Sequence, residues 1–252
     1  MASNIHKMKT TPENFKFIFL GNEEFGLPVI SELLPKYSRY FDLIVTSHDT
    51  SNVFDNLCLK NDIPLCRVDN INNFENEITK YKSDALLVCG WSQIINSHLL
   101  SKIKCIGMHP TLLPERRGRC PITWTLIDGV KESGVTIFYL DEGVDSGDII
   151  YQEKFTIHET YRSIDLINEV NTLLISMFSD VIKSFPDLPR IKQDEKKSTY
   201  KRLRTEIDDE IDLNKSKDSI LRHIRANSPP YPYAYIRNKS GEKIYIKEVL
   251  EK

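Results

Sequence analysis

A histidine followed by a stiff, basic loop is the most distinctive chemical feature of the sequence. His109 lies in the segment GMHPTLLPERRGR (107–119), directly after an apolar run. Pro110 and Pro114 restrict the loop, and three arginines add positive charge to it. Because a histidine has an unperturbed pKa of about 6.5, an imidazole can accept and release a proton near neutral pH. A single histidine of this kind is more often a hydrogen-bonded core residue than a catalytic one. The residues around His109 must therefore show which of the two roles it has.

A second segment of chemical interest is DEGVDSG (141–147), in which Asp145 stands between two glycines. The plain interpretation of this aspartate is a turn residue. The alternative is catalytic, because a carboxylate beside an imidazole favours the protonated ring, which stabilises a negative oxygen that develops during a reaction. The two segments are distant along the chain, so the fold must bring them together.

Short apolar runs alternate with helical stretches through the first 110 residues. The predicted strands are 16–20, 42–46, 85–89 and 103–108, and the predicted helices are 27–34, 53–61, 72–81 and 97–103. Continuous apolar strands of this kind are typical of a parallel sheet covered on both faces. The predicted fold class is therefore α/β, with a Rossmann-like, mostly parallel sheet. Such sheets bind ligands beyond the carboxyl ends of their strands, so we expect the site on the loops after Leu20, Cys89 and Met108.

The remainder of the chain indicates two further strands, a long helix and a small tail. Strands are predicted at 135–140 and 149–157, an amphipathic helix at 163–184, a helix at 215–226, and a hairpin from 233–237 and 243–247. The polar, proline-bearing segment 186–200 has the composition of a linker. We therefore predict a catalytic domain at 1–185, a linker at 186–200 and a small α+β subdomain at 201–252. A tail of this size needs outside support, either from the main domain or from a second copy in a homodimer.

Composition and charge argue against several classes of protein. The 252 residues contain 34 basic and 36 acidic side chains, so no global positive field would attract nucleic acid. Residues 1–10 are polar, and no apolar run is long enough to cross a membrane, so we expect a cytoplasmic protein without a membrane partner. The five cysteines are scattered, which favours reduced thiols and no metal site.

Taken together, the segments resemble the folate-dependent formyltransferases. That family includes methionyl-tRNA formyltransferase, glycinamide ribonucleotide formyltransferase and the nucleotide-sugar N-formyltransferases. Segment 107–119 is similar to the family signature HxSLLPxxRG, and segment 141–147 to its DxGxDxG loop. Further similar segments follow in the family order: FLGNEEFGLP (19–28), DALLVCGWSQII (84–95), PITWTLIDG (121–129), GVTI (134–137), IDLN (211–214) and IRANSPPYP (224–232). Several ordered motifs are more specific than any one of them.

The resemblance implies transfer of a formyl group from 10-formyltetrahydrofolate to an amine, without a metal. It implies His109 as the proton shuttle and Asp145 as its electrostatic partner. The residues expected at the folate are Gln93, Ile94 and Ile95 through their backbone groups, together with Asp141, Glu142, Gly143, Val144 and Arg119. The residues expected on the acceptor side are Asn22, Trp91 and Thr111.

The sequence departs from the family pattern at Gly107, where an asparagine usually steadies the formyl oxygen. The loss of one such donor commonly costs about 3 kcal/mol of transition-state stabilisation. A backbone N–H, Thr111 or Gln93 could replace the missing amide, and the sequence leaves this choice open.

The acceptor that the resemblance favours is an amino-deoxysugar linked to dTDP or UDP, in the biosynthesis of a surface polysaccharide such as O-antigen. The short tail and the slightly acidic chain indicate this class, since a tRNA formyltransferase would be expected to carry a larger, more basic C-terminal domain. Two alternatives stay open: a methionyl-tRNA formyltransferase-like enzyme, and a non-catalytic module that binds folate or a nucleotide sugar. Gly107 motivates the last of these.

Overall fold

The structure, a computed structural model, describes residues 15–249. Their contacts define two compact units, the first formed by 15–107 and 174–191 and the second by 108–173 and 192–249. Residues 1–10, whose polar character argued against a leader or an anchor, lie outside the described residues.

The first unit contains a parallel sheet. Its strands are β1 (Phe17–Gly21), β2 (Phe41–Ser47), β3 (Leu65–Val68), β4 (Ala85–Cys89) and β5 (Lys104–His109). They lie in the order β3-β2-β1-β4-β5, and every pairing is parallel. All five residues of β1 and of β4 are buried, which explains why these central strands are apolar at every position.

Helices and aromatic rings complete the core of the first unit. The helices that follow its strands are α1 (Gly26–Tyr37), α2 (Val53–Asn61), α3 (Glu75–Lys80) and α4 (Ser97–Lys102). Helix α1 buries Val29, Ile30, Leu33 and Leu34, a spacing that forms one apolar face. The ring of Phe185 meets the rings of Phe15 and Phe17 edge-on, at centroid distances of 5.0 and 5.2 Å.

The second unit is built from antiparallel and short strands. Its elements are β6 (Arg117–Gly118), α5 (Pro121–Ile127), β7 (Glu132–Tyr139), β8 (Ile149–Thr156), α6 (Ser163–Ser184, which continues into the first unit), β9 (Tyr200–Lys201), α7 (Lys217–Ala226), β10 (Tyr235–Arg237) and β11 (Lys243–Tyr245). Strands β7 and β8 are antiparallel, β6 and β9 are parallel, and β10 and β11 form the C-terminal hairpin. Ile211, Ile224 and Ala234 form a small core beside this hairpin.

The fold class predicted from the sequence is confirmed: the chain is α/β with a mostly parallel Rossmann-like sheet and a small C-terminal strand pair. The boundaries of the compact units fall inside β5, inside α6 and, at 191/192, within the predicted linker. The division into domains at 185 and 200 stays a prediction. The predicted linker at 186–200 also makes specific contacts. Gln193 and Glu195 bind the side chain of Arg117, and Tyr200 opens a strand that pairs with β6. Its polar composition therefore reflects these hydrogen bonds.

None of the helices described within residues 15–249 combines the length and the apolar character that crossing a bilayer requires. The five cysteines are free thiols. Burial raises the pKa of Cys58 to about 11 and that of Cys105 to about 12. These two thiols are therefore protonated at neutral pH, which argues against a nucleophilic role for them.

Candidate active site

His109 ends strand β5 and is 5% exposed. Its Nε2 lies 2.8 Å from the carbonyl oxygen of Arg116. Because a carbonyl only accepts, Nε2 carries a proton and donates it to this bond. The other ring nitrogen, Nδ1, lies 3.5 Å from the carboxylate oxygen Oδ2 of Asp145. The backbone thus fixes one side of the imidazole, and a carboxylate faces the other side.

Asp145 adopts the left-handed conformation that few residues other than glycine adopt, with φ of +53°. Its Oδ2 accepts a hydrogen bond of 2.7 Å from the backbone N–H of Gly118, and its side chain is 20% exposed. The carboxylate is therefore fixed by the main chain while part of it stays accessible.

The tripeptide 116–118 holds both members of the pair. The carbonyl of Arg116 binds the imidazole, and the N–H of Gly118 binds the carboxylate. Gly118 has φ of +102°, and a Cβ atom at this position would lie 2.3 Å from the carbonyl oxygen of Lys201. Only glycine fits there, which gives the Arg-Arg-Gly sequence a structural reason.

This arrangement can move a proton and stabilise negative charge. A proton accepted at Nδ1 of His109 would face the Asp145 carboxylate, so the protonated ring gains a nearby opposite charge. The two segments that seemed distant in the sequence meet at this point.

The loop at 141–148 carries four of the residues expected at the folate, Asp141, Glu142, Gly143 and Val144. Oδ1 of Asp141 accepts hydrogen bonds from the N–H of Gly143 at 3.1 Å and from the hydroxyl of Ser146 at 2.8 Å, so the turn is internally braced. Glu142 is exposed, and Val144 is 46% exposed. The side chains of Glu142 and Val144 are thus accessible on a hydrogen-bonded turn.

Arg119 and Thr111 lie in different environments. Arg119 is exposed, and its backbone N–H donates to the carbonyl of Lys201 at 2.9 Å. Thr111 is buried, and its hydroxyl donates to the carbonyl of Glu115 at 2.9 Å. The hydroxyl of Thr111 is thus committed to the fold, so we do not place it in the acceptor site.

The first unit contains a separate group of predicted residues around a cavity of about 480 Å³. Its lining includes Asn22, Trp91 and Gln93, which the sequence predicted, together with His48 and Asp49, which it did not. The Oδ1 of Asn22 accepts from the N–H of Phe25 at 3.0 Å and thereby caps the start of α1. Gly90 allows this position, because a Cβ there would lie 2.3 Å from the same oxygen.

Two side chains on the loop after β4 differ in whether their hydrogen-bonding groups are already used within the protein. The amide of Gln93 accepts from the N–H of Ile71 at 3.1 Å and donates to the carbonyl of Asp69 at 2.5 Å. The Nε1 of Trp91, by contrast, is buried and has no acceptor among the described residues 15–249. An unsatisfied buried donor at a cavity wall is costly unless a ligand or water accepts from it. The side chain of Gln93 thus binds the fold, the predicted contact of its backbone with the folate stays a prediction, and Trp91 has a side-chain donor for a ligand contact.

Ile94 and Ile95 follow on the same loop. Ile94 is 72% exposed, whereas Ile95 is buried. The carbonyl of Ile94 accepts from the side-chain amide of Asn72 at 2.9 Å, which fixes the loop. Of the two, Ile94 presents the apolar surface.

His48 and Asp49 stand on a loop that one arginine organises. The Nη1 of Arg67 donates to the carbonyls of Ser47 at 3.1 Å and Thr50 at 3.0 Å, and its Nη2 pairs with the carboxylate of Asp55. Arg67 is the only charged residue of β3. A charged residue within a short apolar strand was the feature of the sequence that could have indicated this ordered loop.

Comparison with known proteins defines the family of this chain. The family described as Formyl transferase matches residues 66–182. The chain is 30% identical over 235 residues to the methionyl-tRNA formyltransferase of Listeria monocytogenes, covering 87% of this chain and 74% of that protein. The chain therefore belongs to the formyltransferase family.

Solved structures show the same fold over nearly the whole chain. A 4-N formyltransferase from Francisella tularensis has a TM-score of 0.78 and 25% identity, covering 94% of this chain and 98% of that one. An N-formyltransferase from Helicobacter canadensis, solved with folinic acid and dTDP-3-aminofucose, has a TM-score of 0.67 and 19% identity, covering 84% of this chain and 80% of that one.

Proposed function

We propose that this protein transfers a formyl group from 10-formyltetrahydrofolate to the amino group of an amino-deoxysugar linked to dTDP or UDP. The observation that carries the proposal is the imidazole of His109 facing the Asp145 carboxylate at 3.5 Å, with both groups fixed by residues 116–118. Membership of the formyltransferase family supplies the reaction class.

The roles of the two residues follow from the atoms they present. 10-Formyltetrahydrofolate supplies the formyl carbon. Nε2 of His109 keeps its proton in the bond to Arg116, so Nδ1 is the atom that accepts the proton lost by the attacking amine and returns it to the leaving nitrogen. Asp145 stabilises the ring while it is protonated.

The residues present are compatible with a folate. The pterin and aminobenzoate rings need apolar contacts and backbone hydrogen bonds, and the second unit, which holds the His109–Asp145 pair, offers the exposed Val144 on a hydrogen-bonded turn. The Helicobacter relative supports this choice, because its structure contains folinic acid.

A missing amide at position 107 leaves the oxyanion donor to be assigned. The hydroxyl of Thr111 is committed to the carbonyl of Glu115, and one of the two N–H groups of the Gln93 amide donates to the carbonyl of Asp69. This leaves a backbone N–H or the second N–H of Gln93, and we propose that the main chain performs this role.

The nucleotide-sugar acceptor is supported by the cavity of the first unit and by the structural neighbours. About 480 Å³ lies within the range of small-molecule sites, and the lining of Asn22, His48, Asp49 and the unsatisfied Trp91 N–H offers polar partners for sugar hydroxyls. The Francisella structure is a 4-N formyltransferase, and the Helicobacter enzyme was solved with a dTDP-aminosugar.

An aminoacyl-tRNA is the second candidate acceptor, since the sequence relatives include methionyl-tRNA formyltransferases. A net charge of −2 disfavours it, because phosphate contacts supply most of the affinity for nucleic acid.

The test is a formyl-transfer assay with 10-formyltetrahydrofolate and a panel of 3-amino and 4-amino sugars linked to dTDP or UDP, with methionyl-tRNA in parallel. We expect a formylated sugar from the wild type, loss of most turnover in His109→Asn, and normal turnover in His98→Asn as the matched control. Formylation of tRNA alone would contradict the acceptor. Folate binding without turnover on any amine would contradict the enzyme and favour a binding module.

A further inference from the structure

We propose that Gln193 and Arg117 are positioning residues for Asp145, so that the segment 193–201, here named the clamp segment, belongs to the active site. Only the kinetic consequence rests on the proposed function. The sequence predicted residues 186–200 as a linker, and the structure shows that Gln193 within it supports the candidate carboxylate.

Gln193 binds the turn of Asp145 through its amide. Its Nε2 donates to two backbone carbonyls, that of Asp145 at 2.8 Å and that of Gly147 at 2.8 Å. Both N–H groups of the amide are therefore used on a single turn. Since Asp145 has a left-handed backbone that a side chain disfavours, the turn depends on contacts of this kind to keep its conformation.

Arg117 in turn fixes Gln193. The Oε1 of Gln193 accepts from Nε of Arg117 at 3.1 Å and from Nη2 at 2.7 Å. The remaining guanidinium protons go to the Glu195 carboxylate, at 3.0 and 2.6 Å, and to the hydroxyl of Tyr200 at 2.8 Å. All five N–H donors of a guanidinium are thus satisfied in a side chain that is 1% exposed.

The Glu195 carboxylate stabilises the charged form of Arg117. Hydrogen bonds with Glu195 raise the pKa of Arg117, and the same bonds lower the pKa of Glu195. A buried guanidinium with a carboxylate, an amide and a hydroxyl around it is a rigid anchor, because every alternative position would leave a donor unpaired.

Arg117 is connected to the His109–Asp145 pair by two routes, one through its neighbouring backbone atoms and one through its side chain and Gln193. The backbone on either side of the Arg117 side chain carries the Arg116 carbonyl, which binds His109, and the Gly118 N–H, which binds the Asp145 carboxylate. The side chain reaches the backbone of Asp145 through Gln193. Asp145 is therefore held at its carboxylate by one route and at its main chain by the other. We infer that loss of the second route lets the turn move and lengthens the distance between the imidazole and the carboxylate.

The test compares Gln193→Ala with Lys197→Ala, an exposed residue of the clamp segment whose recorded ion pair, to Asp194 at 4.0 Å, involves neither Arg117 nor Asp145. We expect Gln193→Ala to lower kcat about 10- to 100-fold, the usual effect of displacing a reacting group by about an ångström, with the KM for folate within about twofold. Lys197→Ala should change neither parameter. In an Asp145→Asn background, Gln193→Ala should cause little further loss, because its effect passes through that carboxylate.

A second readout is independent of turnover. The Gly118 amide, which donates to Asp145, should exchange its hydrogen at least about tenfold faster in Gln193→Ala than in the wild type or in Lys197→Ala. If the wild type transfers no formyl group, the proposed function fails, and this exchange rate still decides the positioning role.

The proposal is overturned if Gln193→Ala leaves kcat and the Gly118 exchange rate at their wild-type values. It is also overturned if the variant loses the same factor in kcat with and without Asp145→Asn. Arg117→Lys, which keeps the charge but lacks the planar fork, should reproduce the loss in kcat, so the result does not depend on one substitution.

Discussion

Gly118→Ala is the substitution whose effect can be worked out most fully from the structure. A methyl group at this position meets the carbonyl oxygen of Lys201 at 2.3 Å, and the backbone holds φ of +102°. A non-glycine residue at such a φ costs about 1–3 kcal/mol. Relief of the contact must separate β6 from β9, where the N–H of Arg117 donates to Thr199 and that of Arg119 donates to Lys201, both at 2.9 Å. These two bonds contribute about 0.5–1.5 kcal/mol each.

Gly241→Ala is the matched control for this substitution. Gly241 also has a positive φ, +83°, but among the described residues 15–249 a Cβ there would have no atom within 4 Å apart from its chain neighbours. Gly241→Ala therefore costs only the free energy of placing a non-glycine residue at a positive φ, without a steric clash. Gly118→Ala should exceed Gly241→Ala by about 1–3 kcal/mol, which corresponds to about 2–12 °C in Tm for a chain of this size.

The two variants should differ more sharply in catalysis. The Gly118 N–H holds the Asp145 carboxylate, so its displacement should lower kcat about 10- to 100-fold, while Gly241→Ala keeps wild-type kcat. Differential scanning calorimetry and steady-state formyl transfer would measure both effects. Equal Tm and equal kcat for the two variants would refute the reasoning.

Two further predictions concern an acceptor contact and a pH dependence. Trp91→Phe removes the buried N–H that lacks an acceptor, so it should raise the KM for the amine acceptor severalfold and leave the KM for folate and the Tm nearly unchanged; an unaltered acceptor KM would exclude the contact. Hydrogen bonds from Arg202 hold the pKa of Asp208 well below its usual range, so the resulting stability is present above the unfolded pKa of about 3.9 and is lost as the pH falls below it. Asp208→Asn should therefore lower Tm at pH 7 and have a diminishing effect as the pH is lowered below about 4, and a Tm difference that does not vary with pH would contradict this assignment.

Elements with strong apolar patterns were predictable from the sequence. Strand β4 and helices α2 and α6 have the predicted bounds, because each has an apolar run or stripe that matches a single period. Strand β3 was not predicted, since its sequence LCRV is short and Arg67 interrupts it. Helix α5 was not predicted either, since its seven residues PITWTLI are rich in β-branched and aromatic side chains, which have modest helix propensity.

The residues of the candidate site could be predicted only in part, and for a different reason. The His109 and Asp145 segments could be identified from residue types, but the residues that hold them could not. The Arg116 carbonyl and the Gly118 N–H are backbone atoms, which every residue carries. Gln193 and Glu195 lie in a polar stretch whose composition matches a solvated linker. Gln193 and Glu195 differ from ordinary linker residues in that they bind the buried guanidinium of Arg117. The burial of an arginine cannot be seen in a single sequence.

The most direct test of the catalytic pair is a double-mutant cycle on kcat with His109→Asn, Asp145→Asn and the combined variant. If the imidazole and the carboxylate act as one unit, the double variant should be no more than a few-fold slower than His109→Asn alone. Losses that multiply in the double variant would show that the two residues act independently and would contradict the mechanism.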